Sequence, residues 1–199
     1  MCCLGDTMEN SDKKKRHDAI MNRKLILEVA DSLFQTYSVS EVTMKQIAVE
    51  CNIGQGTLYR HFSNKAEICQ NLMDHKIETM FNVIDEIKHS NKTDEDKIKY
   101  ILYTFVRLIN DNKQKLEEMK RTGKRSSVMM NLHFYDRLKV DIQACIENLE
   151  IVSNAEFHTD IMLNSFSRDV FDYYCVEKKV TPEQFADRIH FIFIERLMI

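Results

Sequence analysis

Residues Thr43 to Lys65 read TMKQIAVECNIGQGTLYRHFSNK, and this stretch predicts two short helices joined by a tight turn. Thr43 and Gln46 form a T-x-x-Q capping box, in which the hydroxyl accepts from a backbone N–H of the first turn and the amide reaches back. Asn52 is one of the few residues other than glycine that tolerate a positive φ, so it can end the first helix. The second helix is predicted from Gln55 to Phe62.

Two short helices with this kind of turn are typical of the helix-turn-helix, whose second helix enters the major groove of DNA by its N-terminal residues. Such a helix needs polar or small residues at its start and apolar anchors further on. Gln55, Gly56 and Thr57 meet the first requirement, and Leu58 and Phe62 meet the second. A glutamine can offer a donor and an acceptor together to adenine, a threonine can meet a base edge, and a glycine allows close backbone approach.

The neighbouring polar residues are predicted to contact phosphates or flanking bases. Thr43 is expected to act both as a cap and as a phosphate ligand, and Lys65 lies beside a helix N-terminus that can itself bind phosphate. The alternatives are an ordinary helix surface for the second helix and a purely structural role for His61 and Lys65. The predicted DNA contacts are Thr43, Lys45, Gln55, Gly56, Thr57, Tyr59, Arg60, His61 and Lys65.

Three patterns together resemble the TetR family of bacterial transcription regulators. They are LF-x-x-x-S at 33–38, T-M-x-x-I-A at 43–48 and G-x-G-T-L-Y-x-H-F-x-x-K at 54–65. The resemblance is dense over about residues 20–75 and is more specific than a bare helix-turn-helix. Ser38 and Asn52 stand where the family usually has glycine. Because Asn can hold a positive φ, the second departure still fits the turn.

The composition favours a nearly all-helical protein. The 199 residues include 44% hydrophobic residues but only one Pro and four Gly, too few for a sheet protein with many turns. The formal net charge of −3 argues against a nucleic-acid binder. Its distribution matters more, because residues 13–65 hold nine Lys or Arg against five Asp or Glu, a local surplus of 9 − 5 = +4.

The sequence predicts three regions. Residues 1–17 are a flexible basic N-terminal arm, read either as a solvated tail or as an additional phosphate or minor-groove contact, and Met8 is an alternative start. Residues 18–66 form the three-helix helix-turn-helix domain. Residues 67–199 form a larger helical domain, to which the resemblance assigns effector binding and dimerisation. A cytoplasmic location is expected, because neither a secretion signal nor an apolar run of about 18 residues occurs.

Further helices are predicted from caps and apolar periodicity. A first helix runs from Asp18 to about Thr36, and Asn64 caps a long fourth helix that links the two domains. Thr93 restarts a helix after a polar segment, and Thr181 with Gln184 opens the last one. The remaining predictions are a short exposed helix over 113–125 ended by Gly123, a helix over 128–152 and a helical segment over 154–174.

The apolar residues of the last helix nearly encircle it, which favours a second subunit that covers its outer side. The resemblance implies that the two last helices of each subunit pair with their copies as a four-helix bundle, and twofold symmetry is the commonest arrangement. The interface residues expected on this basis are Phe157, Ile161, Phe185, Ile189, Ile192, Phe193 and Leu197.

A ligand pocket in the larger domain rests mainly on the resemblance, because aromatic and Met stripes at helical spacing are more often core than cavity wall. Arg168 and His133 stand among apolar residues and would select an anionic or polar ligand, or else form a satisfied buried pair. The expected lining is Phe105, Met130, His133, Phe134, Tyr135, Phe166, Arg168 and Tyr174.

Enzyme activity has no motif behind it, since G-x-S-x-G, P-loop and G-x-G-x-x-G patterns are missing from the sequence. The seven His and six Cys show no metal-binding spacing, so neither a metal nor a cofactor is expected. The predicted function is a homodimeric, sequence-specific DNA-binding regulator, a repressor released by a small-molecule effector. The alternatives are an effector-independent architectural or division-related DNA binder and a small-molecule-binding protein or enzyme that has lost DNA contact.

Overall fold

The computed structural model describes the backbone of residues 6–121 and 132–198 and the side chains of residues 20–119 and 134–198. All regular elements in that part of the chain are helical, as predicted. They are α1 (Asp6–Thr36), α2 (Met44–Glu50), α3 (Gln55–His61), α4 (Lys65–Lys88), α5 (Asp94–Asp111), α6 (Lys113–Arg121), α7 (Leu132–Leu149), α8 (Ala155–Asn164), α9 (Arg168–Asp172), which continues into a π-helical turn (Tyr173–Glu177), α10 (Pro182–Phe193) and a 3₁₀ turn (Glu195–Leu197).

Local caps explain where four of the helices begin, and each was predicted. The Oγ1 of Thr43 accepts from the backbone N–H of Gln46 at 3.2 Å, and the Gln46 side chain accepts from the Thr43 N–H at 2.8 Å. Asn64 caps α4 through a 2.9 Å bond. Thr93 and Thr181 cap α5 and α10, each through a 3.2 Å bond. These bonds satisfy backbone donors that the first helical turn leaves free.

The first helix is longer than expected. It begins at Asp6, so residues 6–17, which were predicted to form an arm, are helical in backbone, and the role of this segment as a flexible basic arm stays a prediction. This segment contains neither Pro nor Gly, and its Met, Glu, Lys and Arg residues favour helix. Residues 1–5 lie outside the described part of the chain.

The first three helices enclose a small core. Ile26, Phe34, Ile47, Leu58 and Phe62 are buried there. α4 then leaves this core and enters the larger half, where α5 packs against α4, α7 and α10. The predicted boundary between residues 66 and 67 falls within the first turn of α4 and remains a prediction.

α6 is not the exposed helix that its charge predicted. It packs along α4, with Met119 and Lys115 buried. Its charged residues reach partners on other helices, which is why a polar sequence occupies a covered position. Gly123 and the predicted start of α7 at residue 128 lie outside the described residues, and the described part of α7 begins at Leu132. Among the described helices, none has the length and apolar character needed to span a membrane.

Candidate nucleic-acid interface

The turn between α2 and α3 has the left-handed residue that the sequence predicted. Asn52 has a φ of 53°. Its N–H donates to the carbonyl of Val49 at 2.9 Å, and the N–H of Ile53 donates to the carbonyl of Ala48 at 3.0 Å. This pair of bonds is the Schellman arrangement, which satisfies the last carbonyls of a helix and fixes the direction of the chain beyond it. The angle between α2 and α3 is therefore set by backbone bonds.

α3 has one buried side and one exposed side. Leu58 is fully buried and Phe62, which caps the helix, is also fully buried. Gln55, Gly56 and Tyr59 are exposed, and 51% of Tyr59 remains accessible. A Cβ at Gly56 would meet no atom within 4 Å, so packing within the subunit does not require glycine there. The small residue instead keeps the outer surface of α3 open to close approach.

Arg60 lies across the start of α3. Its Nε donates to the carbonyl oxygen of Gly56 at 3.3 Å, and an Nη donates to the Thr57 hydroxyl at 3.0 Å. Arg60 is exposed and Thr57 is partly buried. Because guanidinium has further N–H donors, Arg60 in this position can still contact phosphate while it orients the threonine.

Arg23 on α1 is a site residue that the sequence patterns missed. One Nη donates to the carbonyl oxygen of His61 at 2.8 Å, and the other donates to the side-chain oxygen of Asn71 at 2.7 Å. The guanidinium also lies 4.3 Å from the ring centroid of Phe62. Arg23 thus ties the end of α3 to α1 and α4. Its partners are 38 or more residues away, so no local motif signals this role.

The prediction that Lys65 contacts phosphate is wrong for this conformation. Its Nζ donates to the carbonyl oxygens of Val39 at 2.5 Å and Val42 at 2.9 Å, and lies 3.8 Å from the Glu118 carboxylate. Only 14% of the Lys65 side chain is accessible. The structural alternative therefore describes Lys65 better. Thr43 and Lys45 are exposed and His61 is partly buried, and their predicted DNA contacts stay predictions.

Ser38 stabilises the loop that precedes α2. Its hydroxyl and its backbone N–H both donate to the Glu41 carboxylate, at 2.6 Å and 3.1 Å. These two bonds lower the pKa of Glu41, the hydroxyl bond contributing more. The serine thus supplies a side-chain bond at a position where glycine would supply none.

The predicted pocket residues occupy two different environments. Phe105, Phe134 and Phe166 are buried, and the ring centroid of Phe105 lies 5.9 Å from that of Phe134 and 5.6 Å from that of Phe166. Tyr135 is partly buried, and burial raises the pKa of its hydroxyl. Tyr174 stacks on Phe185, with 5.7 Å between centroids.

Arg168 does not stand in apolar surroundings. It bonds Glu117 at 2.8 Å and Asp172 at 3.0 Å, with 36% of its side chain accessible. Its assignment to an apolar pocket is therefore wrong. Met130 and the side chain of His133 lie outside the described residues.

The predicted dimer residues also divide into two groups. Phe157, Ile161, Ile192 and Leu197 are exposed, with 64%, 44%, 51% and 43% of their surface accessible. Phe193 is partly buried beside His158.

Phe185 and Ile189 are only 2% and 8% accessible, so their assignment to the interface is wrong. They face the core of their own subunit, where Phe185 contacts Phe166 and Phe171. Phe191, which was not among the predicted interface residues, is 50% accessible.

Sequence and structure comparisons agree on the affiliation of the chain. The profile described as bacterial regulatory proteins, tetR family, matches residues 26–72. An HTH-type transcriptional regulator of Staphylococcus aureus (strain MRSA252) is 35% identical over 185 residues, which cover 92% of this chain and 97% of the relative. A second HTH-type transcriptional regulator, from Staphylococcus aureus (strain bovine RF122 / ET3-1), is 29% identical over 182 residues, which again cover 92% of this chain and 97% of the relative.

Solved structures show the same fold. The TetR family transcriptional regulator PfmR from Thermus thermophilus has a TM-score of 0.60 at 15% identity, covering 85% of this chain and 97% of that one. A TetR-like transcriptional regulator from Rhodococcus sp. RHA1 has a TM-score of 0.61 at 14% identity, covering 88% and 95%. With the exposed recognition helix and the relative at 35% identity, these findings identify a DNA-binding transcriptional regulator, and the chain belongs to the TetR family of bacterial regulatory proteins.

Proposed function

We propose that the protein is a homodimeric repressor that places two copies of α3 in successive major grooves of a pseudo-palindromic operator. The observation that carries this proposal is the exposed start of α3 on a helix that is fixed from behind. Leu58 and Phe62 are buried beneath it, and Arg23 holds its last carbonyl. Because these contacts hold α3 in place, its exposed residues keep fixed positions and can discriminate between bases.

Direct readout is assigned to the first half of α3. Gln55 presents an amide that can bond both edge atoms of adenine, and Thr57 presents a hydroxyl and a methyl group. Tyr59 extends outward beside them. Lys45, on α2, is assigned to a phosphate, because it is charged and exposed, whereas the Lys65 ammonium is bonded within the subunit. Phosphate contacts of this kind position the helix without reading sequence.

The second subunit is proposed to cover the exposed apolar face formed by Phe157, Ile161, Phe191, Ile192 and Leu197, which we call the α8–α10 face. All five large apolar side chains are exposed in the single subunit, and burial of exposed apolar surface favours association. Twofold pairing through this face would give two reading helices with half-sites one helical turn, about 34–36 Å, apart.

Release by a small molecule in the larger half is the proposed form of regulation. A ligand shifts DNA affinity only through its different affinities for the two conformations. The contacts of α6 offer a route for such a shift. Gln114 accepts from the N–H of Val39 at 2.8 Å, Lys115 pairs with Asp31 at 3.1 Å and Glu118 lies near Lys65. A movement of α6 would therefore pull on the helix-turn-helix at three points.

One observation favours the alternative, a DNA binder without an effector. Phe105, Phe134 and Phe166 pack ring against ring at the place where the pocket was expected. Filled space at these positions leaves less room for a ligand. Heat-stability screening with small-molecule libraries separates the two, because an effector that binds the folded state raises the melting temperature.

The test of operator binding uses the purified protein and two fluorescent duplexes of equal composition. One is the DNA upstream of its own gene, and the other is a shuffled version of it. Specific recognition predicts that the native duplex binds at least about 10³-fold more tightly at physiological salt. Equal affinity for both duplexes across a salt series would contradict specific binding there. A promoter–reporter fusion whose output rises when the protein is deleted would support repression.

A further inference from the structure

Three potential metal ligands come together far from the DNA-binding surface. Glu95 lies in the first turn of α5, His190 near the end of α10 and Glu195 in the final 3₁₀ turn. One ligand atom from each residue lies within 4.8 Å of the others. His190 is only 1% accessible, whereas the two glutamates are partly exposed. We call this group the Glu-His-Glu cluster.

The hydrogen bonds of His190 leave one ring nitrogen facing an acceptor. Its Nε2 lies 3.1 Å from the backbone carbonyl oxygen of Glu95. Since a carbonyl can only accept, Nε2 carries the proton. In the neutral ring, Nδ1 then presents its lone pair to Oε1 of Glu195, 3.0 Å away. Two acceptors at this distance repel each other unless a proton or a metal ion lies between them.

The N–H bond to a carbonyl is also the support that metal-binding histidines commonly have. Such a bond fixes the tautomer and the direction of the ring, and leaves the other nitrogen free to coordinate. In this chain the backbone of Glu95 supplies the support, and its side chain offers one of the three potential ligand atoms of the cluster. Ligand and supporting group therefore come from the same residue.

The charges around the cluster are unbalanced. Besides Glu95 and Glu195, Asp187 lies nearby, and Lys99 is 3.5 Å from Asp187 and 3.7 Å from Glu195. The Tyr103 hydroxyl donates its hydrogen bond to Asp187. Arg188 lines the same surface pocket as Asp187 and Glu195. Three carboxylates, one ammonium and one guanidinium therefore give −3 + 2 = −1. This net negative charge favours a bound cation.

We propose that the Glu-His-Glu cluster binds one divalent transition-metal ion, with zinc the best match. One imidazole and two carboxylates form a donor set that zinc accepts, and water can take the fourth position. Imidazole also favours zinc over magnesium or calcium. Zinc bonds of about 2.0–2.2 Å place tetrahedral ligands about 3.4 Å apart, so the cluster must close slightly around the ion.

The bound metal would connect the start of α5 to the last turn of the described chain. Glu195 and Leu197 share that turn, and Leu197 belongs to the α8–α10 face together with Ile192. A metal bond to Glu195 would hold the turn in one position. It would therefore raise the thermal stability and order this edge of the face.

The experiment titrates zinc, and separately cobalt(II), into chelator-treated, reduced full-length protein. Calorimetry should give one tight equivalent per chain, and the melting temperature should rise with zinc. Replacement of both glutamates, Glu95→Gln with Glu195→Gln, should abolish that equivalent and the shift. Because this variant keeps all histidines and cysteines, the loss would identify the cluster. Bound cobalt should lack the intense charge-transfer band of thiolate ligands.

The matched control is Glu183→Gln, a change on α10 outside the cluster at a residue that pairs with Arg107. It should bind zinc like the parent. Equal zinc binding by the double variant and the parent would overturn the proposal, and so would a parent that binds no zinc. Zinc binding is measured without DNA, so this proposal can fail while the proposed function holds, and the reverse.

Discussion

The ammonium nitrogen of Lys65 lies 2.9 Å from the carbonyl oxygen of Val42. Through this bond the first residue of α4 holds the loop that leads into the helix-turn-helix. The lysine ammonium has three N–H donors. They bond the main-chain oxygens of residues 39 and 42 and make a longer contact, 3.4 Å, to that of residue 40. In this conformation the residue therefore supports the reading surface from within the subunit.

Lysine substitutions should separate this structural role from phosphate binding. Lys65→Gln should lower the melting temperature and the operator affinity, because it removes bonds to the loop, but leave the salt dependence of binding unchanged. Lys45→Gln should reduce the slope of log K against log salt by about 0.9 per lost phosphate contact, hence about two per dimer. Binding titrations at several salt concentrations measure both. A reduced slope for Lys65→Gln would restore this residue to the DNA contacts.

Gln55 should carry sequence preference. Gln55→Ala should cost about 1–3 kcal/mol of discrimination at the base pair it reads, because the bidentate contact is lost. Competition binding with operator variants changed at one position measures this loss. The control is Gln143→Ala, the same change on α7, which should keep the parent's preference. If both variants discriminate like the parent, Gln55 does not read a base.

The α8–α10 face should be needed for dimerisation. Ile192→Glu places a charge in an apolar contact and should weaken the dimer by about 2 kcal/mol or more, roughly 30-fold. Sedimentation at several concentrations gives the dissociation constant. Val83→Glu, a comparable change at an exposed position on α4, should leave it unaltered. A variant with Ile192→Glu that still sediments as a dimer would place the interface elsewhere.

Tyr103 should make stability fall at high pH. Burial, and next the hydrogen bond to Asp187, raise the pKa of its hydroxyl to about 12. The folded state therefore holds this proton more tightly than the unfolded chain, in which the pKa is about 10. Its stabilising contribution is complete below about pH 10 and is lost as the pH rises toward about 12.

Urea unfolding of the parent and of Tyr103→Phe between about pH 9 and 11 measures this contribution. The variant should lose less unfolding free energy across the window, because it has no hydroxyl to ionise. Lysine deprotonation affects both proteins alike, so the difference isolates Tyr103. Parallel pH profiles would contradict the assignment.

The sequence predicted the features that depend on neighbouring residues. Thr43, Thr93 and Thr181 cap helices through bonds to residues three positions later, and Asn52 takes its positive φ within a turn closed by its own neighbours. Such bonds are visible as short patterns. The exposed start of α3 followed from the same local reasoning, because Leu58 had to face inward.

Long-range contacts account for the failures. Lys65 was predicted to contact phosphate because its acceptors could not be seen in the sequence. They are backbone oxygens 23–26 residues earlier, and backbone atoms leave no pattern of residue types. Phe185 and Ile189 belong to a helix whose apolar stripe is wide, and periodicity alone does not say which part of a wide stripe faces its own subunit. The Glu-His-Glu cluster joins residues about a hundred positions apart, so no ligand spacing in the sequence indicates it.

α4 belongs to both halves of the molecule and runs without interruption from Lys65 to Lys88. Its 24 residues span about 36 Å, and no hinge peptide divides them. A chimera with the DNA-binding domain of another regulator must therefore keep the helical register of α4 across the junction. One inserted residue would turn the DNA-binding domain by about 100° and displace it by about 1.5 Å. Both domains of a dimer would be rotated in this way, so their spacing would no longer match the pitch of the duplex.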